Sequence, residues 1–147
     1  MKHIVVVDDE EGITDLLKDA LTRPERSVDV FNDPLKAIAA LQTRSPDLII
    51  TDLNMPGIDG FEFLKICRVK VPKAKIVILT GTGGIQEAVR AMKEGATDFF
   101  TKPLKLAELS ENVKRLLDLQ EAARSARASG SDLPVVKQEK GTERTLA

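Results

Sequence analysis

Five polar side chains stand directly after short apolar runs, and their types suit phosphoryl chemistry. Asp8 and Asp9 follow the first run, and Asp52, Thr80 and Lys102 each follow a later one. Clustered carboxylates repel one another, and one of them is forced to protonate unless a cation compensates. Mg²⁺ suits such a group because carboxylate oxygens, phosphate and water bind it together. A lysine charge and a threonine hydroxyl can serve phosphoryl oxygens, so these residues predict phosphoryl transfer, with an aspartate as nucleophile.

The elements that must position these side chains follow from an alternation of apolar runs and amphipathic stretches. The predicted strands are His3–Val7, Ser27–Phe31, Asp47–Thr51, Lys75–Leu79 and Asp98–Thr101. Several are continuous Val, Ile and Leu runs, as parallel strands covered on both faces require. Five βα units predict an α/β fold with a doubly wound parallel sheet and right-handed crossovers. In such sheets, ligands bind at the carboxyl ends of the strands.

Helical periodicity predicts which faces pack against this sheet. The side chains expected to be mostly buried are Ile13, Leu16, Leu17, Ala20 and Leu21 in helix 1, Leu35, Ile38, Ala39 and Leu41 in helix 2, Phe61, Leu64 and Cys67 in helix 3, Ile85, Ala88, Val89 and Met92 in helix 4, and Leu106, Leu109, Val113, Leu116 and Leu117 in helix 5. Asp33 and Pro34 are expected to open helix 2 as N-cap and first residue, and helix 3 is expected to run from Asp59.

Composition excludes several classes of protein. A formal net charge of −1 gives no overall electrostatic case for nucleic-acid binding. One histidine and one cysteine cannot assemble a Cys/His zinc site or an internal disulfide, and a reducing cytoplasm is expected. No apolar run reaches the roughly 18 residues of a membrane-spanning helix. Cys67 is expected to be a small core residue, and His3 is expected to have no role.

The chain changes character near Ala122. Residues 122–147 are rich in Ser, Ala, Gly and charge, and they bury too little to offset the entropy of ordering. The sequence therefore predicts one domain over residues 2–121, followed over residues 122–147 by a helix extension and a flexible tail or linker. Within the domain, Gly81–Gly84 is predicted to be a mobile loop because it lacks both the dinucleotide and the P-loop patterns.

Several motifs, in order and at matching strand ends, resemble the receiver domain of response regulators in two-component signalling. They are Asp-Asp at 8–9, Asp-x-Asn-Met-Pro-Gly-x-Asp-Gly at 52–60, Leu-Thr-Gly at 79–81 and Asp-Phe-Phe-Thr-Lys-Pro at 98–103. The resemblance covers roughly residues 2–121. It implies a flavodoxin-like (βα)5 sheet with strand order 2-1-3-4-5, an order for which this family is a known example.

The resemblance also implies roles for the acidic residues. Asp52 would be the phosphoacceptor and would take the phosphoryl group from a phosphohistidine of a partner. Asp8, Asp9 and Asp52 would hold Mg²⁺ together with the backbone carbonyl of Asn54.

Strands 4 and 5 would supply the residues that respond to the phosphoryl group. By the same resemblance, Thr80 and Lys102 would bind its oxygens, and Thr80 would vacate space into which the switch residue Phe99 rotates. The Lys102–Pro103 peptide bond would be cis. The surface of helix 4, strand 5 and helix 5 would then change.

The implied partners are a sensor histidine kinase or phosphotransfer protein upstream and a downstream protein or effector domain. No contact with nucleic acid within this chain, no contact with a membrane and a cytoplasmic location are expected, and a homodimer that forms on phosphorylation is a further expectation. The domain would catalyse only its own phosphotransfer and dephosphorylation. Both a stand-alone receiver and one excised from a longer regulator fit the sequence.

Three other interpretations start from the same residues. A haloacid-dehalogenase-like, Mg²⁺-dependent phosphatase would need Asp-x-Asp after strand 1, whereas Asp8 and Asp9 are adjacent. A non-phosphorylated pseudo-receiver would act purely as an interaction module. In the purely structural interpretation, Asp8 and Asp9 cap helix 1 and complement its dipole, and Asn32-Asp33 simply caps helix 2.

Overall fold

The computed structural model describes residues 1–81 and 84–128. The strands are β1 (Lys2–Val7), β2 (Arg26–Phe31), β3 (Leu48–Asp52), β4 (Lys75–Thr80) and β5 (Asp98–Thr101). The helices are α1 (Glu11–Leu21), α2 (Pro34–Leu41), α3 (Gly60–Lys70), α4 (Ile85–Lys93) and α5 (Leu106–Ala128). The strands form one parallel sheet in the order β2-β1-β3-β4-β5. The predicted flavodoxin-like α/β fold is confirmed, and every strand boundary lies within one residue of its prediction.

Both faces of the central strands are buried, which explains their continuous apolar sequences. Val5, Val7, Ile49, Ile76 and Ile78 belong to a core cluster with residues of α2, α3 and α4, and none of the five is more than 2% exposed. The alternate residues of the same strands, such as Ile4, Val6 and Ile50, are fully buried as well. Cys67 is also part of the core cluster, where burial raises the pKa of its thiol to about 12.

Several helix faces differ from the prediction because periodicity identifies an apolar stripe without showing which side contacts the sheet. In α4 the buried residues are Ala88 and Ala91, whereas Ile85, Val89 and Met92 are 54%, 46% and 39% exposed. Small alanines allow a helix backbone to approach a sheet closely, which leaves the larger side chains at the flank. The side chains wrongly predicted as buried also include Leu16, Leu35 and Ala39, while Phe63 is buried and was not predicted.

Two compact units are distinguished, one over Met1–Val113 and a second that begins at Lys114. The first holds the sheet, α1 to α4 and the beginning of α5, where Leu109 and Val113 are buried. In the second, α5 continues to Ala128, with an ion pair between Lys114 Nζ and Asp118 Oδ2 at 2.9 Å. The tail or linker expected beyond this helix lies outside the described residues. Within residues 1–81 and 84–128, no helix combines the length and apolar character needed to cross a bilayer.

Candidate functional site

The register of the parallel strands brings the predicted site residues to one edge of the sheet. Asp52 is the last residue of β3 and pairs with Leu79, so Thr80 follows one position further along β4. Lys102 comes directly after β5, and its backbone N–H donates to the carbonyl of Thr80 at 2.8 Å. Asp8 follows β1, which lies beside β3 in the sheet. The site is therefore built from the ends of four strands, which are adjacent in the order β1-β3-β4-β5.

Three carboxylates meet at this edge. One carboxylate oxygen from each of Asp8, Asp9 and Asp52 lies within 4.8 Å of the others. Asp8 is fully buried and Asp52 is 5% exposed, whereas Asp9 is exposed. The backbone N–H of Asn54 donates to Asp52 Oδ1 at 3.1 Å and fixes the orientation of that carboxylate. An all-oxygen group of this kind matches the ligand preference of Mg²⁺, so the residues present fit the expected ion.

Lys102 provides the compensating positive charge. Its Nζ lies 2.9 Å from Asp8 Oδ2, 3.0 Å from Glu10 Oε1 and 3.3 Å from Asp52 Oδ2. Burial alone would lower the pKa of the lysine, but hydrogen bonds to Asp8 and Glu10 and the charges of Asp8 and Asp52 outweigh it and raise that pKa. Lys102 therefore stays protonated at neutral pH and holds three carboxylates with one ammonium.

Asp8 is the carboxylate most affected by burial. Removal from water raises its pKa, an effect that the Glu10 N–H and Lys102 oppose and that the Asp52 charge reinforces. The Glu10 N–H donates to Asp8 Oδ1 at 2.9 Å, and Glu10, not Asp8 or Asp9, is the N-cap of α1. Neither Asp8 nor Asp9 is thus the N-cap of α1, and the Asp8 carboxylate is held at the strand end by the Glu10 N–H and Lys102 instead.

Thr80 and Phe99, the residues predicted to respond to a phosphoryl group, lie in the neighbouring strands β4 and β5. Thr80 is fully buried, and its Oγ1 has no hydrogen-bond partner among the described residues. A buried hydroxyl without a partner is costly, which distinguishes Thr80 from the other described polar groups at this edge of the sheet. Phe99 is half-buried and packs against the core cluster. The Lys102–Pro103 peptide bond is cis, as the resemblance implies.

Two residues near the site were missed by sequence reasoning. Glu10 contacts Lys102, and its place two residues after Asp8 was the available signal. Asn32 was assigned only to a helix cap, yet its Nδ2 donates to the Asp8 carbonyl at 2.9 Å and to Thr14 Oγ1 at 3.0 Å. Asn32 thereby ties the end of β1 to α1. Thr82 and Gly83, in the segment predicted to be a mobile loop, lie outside the described residues.

Comparisons with known proteins agree with this geometry. The sequence profile of the response regulator receiver domain matches residues 4–114. Transcriptional regulatory protein FixJ of Bradyrhizobium diazoefficiens is 34% identical, over 89% of this chain and 64% of that protein. Alkaline phosphatase synthesis transcriptional regulatory protein PhoP of Bacillus subtilis is 36% identical, over 83% of this chain and 51% of its own length. The chain thus spans less than two thirds of either relative.

Solved structures show the same likeness. NtrX from Brucella abortus superposes with a TM-score of 0.81 at 32% identity, over 88% of this chain and 30% of that one. A response regulator receiver domain protein from Clostridium thermocellum gives a TM-score of 0.76 at 28% identity, over 84% of this chain and 99% of its own. None of these matches supports the phosphatase alternative. The match over residues 4–114, the sheet order and the strand-end residues together show that the chain belongs to the response regulator receiver domain family of two-component systems.

Proposed function

We propose that the domain, taken as residues 2–121 with residues 122–147 as a helix extension and a tail or linker, accepts a phosphoryl group on Asp52. The donor is a sensor histidine kinase or a phosphotransfer protein in the cytoplasm, and the receiver of the signal is a downstream protein or effector domain. One observation carries the proposal. The side chain of Asp52 is 7% exposed and lies 3.3 Å from the Lys102 ammonium, and it forms an acidic cluster with Asp8 and Asp9.

The chemistry follows from what each group offers. A carboxylate oxygen of Asp52 attacks the phosphorus of a phosphohistidine, so that an O–P bond forms and the N–P bond breaks. The Asn54 N–H fixes one carboxylate oxygen, and Lys102 Nζ is near enough to meet a phosphoryl oxygen. Thr80 Oγ1, which lacks a partner among the described residues, donates a hydrogen bond to another. Hydrolysis of the O–P bond returns the carboxylate and inorganic phosphate.

The acidic cluster makes this chemistry dependent on Mg²⁺. Asp8, Asp9, Asp52 and the backbone carbonyl of Asn54 would hold the ion. When bound, it supplies positive charge that offsets the phosphoryl oxygens. The chain itself contributes orientation, since Asn32 and Glu10 hold Asp8 and Asn54 holds Asp52.

Phosphorylation would change the surface of α4, β5 and the beginning of α5. Thr80 moves toward the phosphoryl group, and Phe99 rotates into the space that it leaves. To make a mostly inactive population mostly active, the phosphoryl group must favour the active state over the inactive one by about 5 kcal/mol. Several charge-assisted hydrogen bonds and Mg²⁺ can supply this difference. The exposed stripe of Ile85, Val89 and Met92 on α4 supports this surface as the docking face. A phosphorylation-dependent homodimer on this face is tested by measuring mass against concentration, with and without beryllofluoride.

The test is the intact mass of the protein after incubation with acetyl phosphate. We expect one phosphoryl adduct with Mg²⁺, and none with EDTA or in Asp52→Asn. Asp33→Asn is the matched control, because Asp33 also follows a strand but caps α2 through Leu35 N at 2.9 Å, a role that asparagine fills equally well. A full adduct in Asp52→Asn, or none in the wild type, would contradict the proposal, and in the second case the pseudo-receiver interpretation would lead.

A further inference from the structure

A cation–ring contact joins α4 to α3 beside the site. Arg90 Cζ of α4 lies 3.8 Å from the centre of the Phe61 ring of α3. Its Nε also donates at 2.7 Å to Oε2 of Glu94, the residue directly after α4, and 60% of the arginine side chain is exposed. Both Arg90 and Phe61 line a cavity of about 470 Å³ that Leu53 and Asn54, just after the phosphoacceptor position, also line. The contact therefore lies in the lining of a cavity that Leu53, the residue after Asp52, also lines.

The α3 end of this contact is tied to the phosphoacceptor strand. Gly60, the residue before Phe61, approaches Leu53 so closely that an added Cβ would collide with the Leu53 backbone. The next residue after Leu53 is Asn54, whose N–H holds Asp52. Phe61 is thus connected to the Asp52 carboxylate through the backbone of Gly60, Leu53 and Asn54.

The α4 end is tied to Thr80. Gly84, the residue before α4, lies against the Thr80 side chain, where an added Cβ would stand 2.9 Å from Thr80 Cβ. The start of α4 thus packs directly on the Thr80 side chain, so a movement of Thr80 toward a phosphoryl group on Asp52 would remove a packing contact of α4. The contact seen here is formed while Thr80 Oγ1 still lacks a partner among the described residues.

We propose that Arg90 and Phe61 stabilise the unphosphorylated arrangement of the site, so that Arg90 is a positioning residue for phosphorylation of Asp52. The inference rests on the proposed function. Because the contact joins an element that packs on Thr80 with one that packs beside Asp52, a switch that shifts α4 against α3 changes its geometry. Its removal favours the phosphorylated arrangement, since only interactions that differ between two states shift their balance.

The expected effect is modest and has a defined sign. A cation–ring contact at an exposed site corresponds to a change of about two- to fivefold in an equilibrium constant. Arg90→Gln and Phe61→Leu should therefore each bind beryllofluoride, a phosphoryl mimic, about two- to fivefold more tightly than the wild type at saturating Mg²⁺. The double variant should gain no more than either single variant, because both remove the same contact.

The experiment measures beryllofluoride affinity by calorimetry, together with the melting temperature of each ligand-free variant. Glu94→Gln is the matched control, because it removes the ion pair of Arg90 but leaves the ring contact, and its affinity should match the wild type. Arg90→Lys keeps a cation above the ring and should restore most of the wild-type affinity. A purely structural role would lower the melting temperatures without this pattern of affinities.

The outcomes distinguish a failure of the inference about Arg90 and Phe61 from a failure of the proposed function. Tighter binding by both single variants, with Glu94→Gln and Arg90→Lys close to the wild type, supports the inference. Unchanged or weaker binding by Arg90→Gln and Phe61→Leu, while the wild type still binds, overturns it. An equal effect of Glu94→Gln also overturns it, because the ion pair and not the ring contact would then be responsible. A wild type that binds no beryllofluoride overturns the proposed function and the inference together.

Discussion

Two polar clusters lie at opposite ends of the same parallel strands, and they differ in whether their groups are satisfied. The acidic site at the carboxyl ends consists of Asp8, Asp9 and Asp52, of which Asp8 and Asp52 contact the Lys102 ammonium. The Thr80 hydroxyl of this site lacks a partner among the described residues. The amino-terminal cluster consists of His3, Ser27, Asp29, Arg44 and Asp47. The contrast suggests that surplus charge and a missing partner, rather than burial of polar groups alone, mark the place where a ligand acts.

The polar groups of the amino-terminal cluster form hydrogen bonds and ion pairs with one another. His3, 4% exposed, has Nδ1 2.8 Å from Ser27 Oγ and Nε2 3.3 Å from Asp29 Oδ2. Arg44 Nη2 donates to Ser27 Oγ at 3.3 Å, and the His3 backbone N–H donates to Asp47 Oδ2 at 2.8 Å. A serine, a histidine and an aspartate in a row invite a catalytic interpretation, but these partners already occupy both ring nitrogens and the serine hydroxyl.

The largest expected effect comes from removing the compensating cation of the acidic site. Lys102→Met leaves the buried Asp8 carboxylate without its partner, and in EDTA we expect the free energy of unfolding to fall by about 3 kcal/mol. Mg²⁺ should stabilise this variant more than the wild type, because it replaces the missing positive charge. Phosphorylation should slow by about 100-fold or more, as on loss of a charge-stabilising donor.

Urea denaturation with and without Mg²⁺, and phosphorylation rates from acetyl phosphate, check this expectation. Lys105→Met is the control, since Lys105 is exposed and lies three residues further along, and its effect on stability should stay within about 0.5 kcal/mol. If the two variants behaved alike, the acidic site would not depend on Lys102.

A pair of hydroxyl deletions compares the two clusters directly. Thr80→Val removes a buried hydroxyl that lacks a partner among the described residues, so stability should stay within about 0.5 kcal/mol or rise. Ser27→Ala removes a hydroxyl bonded to His3 and Arg44 and should cost about 1 kcal/mol. Phosphorylation should show the reverse order, slower by about tenfold or more in Thr80→Val and unchanged in Ser27→Ala. The same rank order in both assays would remove the distinction between the clusters.

The smallest effect is a dependence on pH at the amino-terminal cluster. Burial lowers the pKa of His3 below its ordinary value of 6.5, Arg44 lowers it further, and Asp29 and Asp47 oppose the shift. The folded state thus favours the neutral ring. Neutral His3 therefore contributes to the free energy of unfolding, and this contribution is complete above pH 6.5. It is lost as the pH falls from 6.5 through the lowered pKa that His3 has in the folded state.

The measurement compares the unfolding free energies of the wild type and His3→Gln between pH 8 and pH 5.5. Their difference should shrink toward acid pH, with a slope of at most about 1.4 kcal/mol per pH unit. A difference that stayed flat or grew toward acid pH would contradict the direction of the shift. Phosphorylation of Asp52 should be equal in both proteins, because His3 lies at the far end of the sheet.

The sequence predicted the sheet, and the meeting of Asp8, Asp9 and Asp52 at one of its edges, because both depend on local signals. Continuous Val and Ile runs identify buried parallel strands, and a residue at a strand end lies at the ligand edge whatever its side chain. In α4 the prediction is confirmed for Ala88 but wrong for Ile85, Val89 and Met92, and it missed Ala91, because the buried residues are the small ones and not the most hydrophobic ones. Burial there depends on helix position, which periodicity does not specify.

Contacts between distant segments were equally hidden from the sequence. His3 lies beside Ser27 only because β1 and β2 pair in parallel in that register. The burial of His3 and its hydrogen bonds were therefore missed by the sequence analysis. Its expected lack of a role in the chemistry stays a prediction. Glu10 contacts Lys102 across 92 positions of sequence. The Arg90–Phe61 contact likewise needs the packing of α4 beside α3 to be known.

The central claim is that Asp52, and no other carboxylate of the acidic site, forms the acyl phosphate. The most direct measurement treats the protein with acetyl phosphate and Mg²⁺, reduces it with borohydride, and maps its peptides by mass spectrometry. Borohydride converts a phosphorylated aspartate to homoserine and leaves free carboxylates unchanged. We expect homoserine at position 52 and intact aspartate at positions 8 and 9, whereas homoserine at position 8 or 9, or at none of the three, would contradict the account.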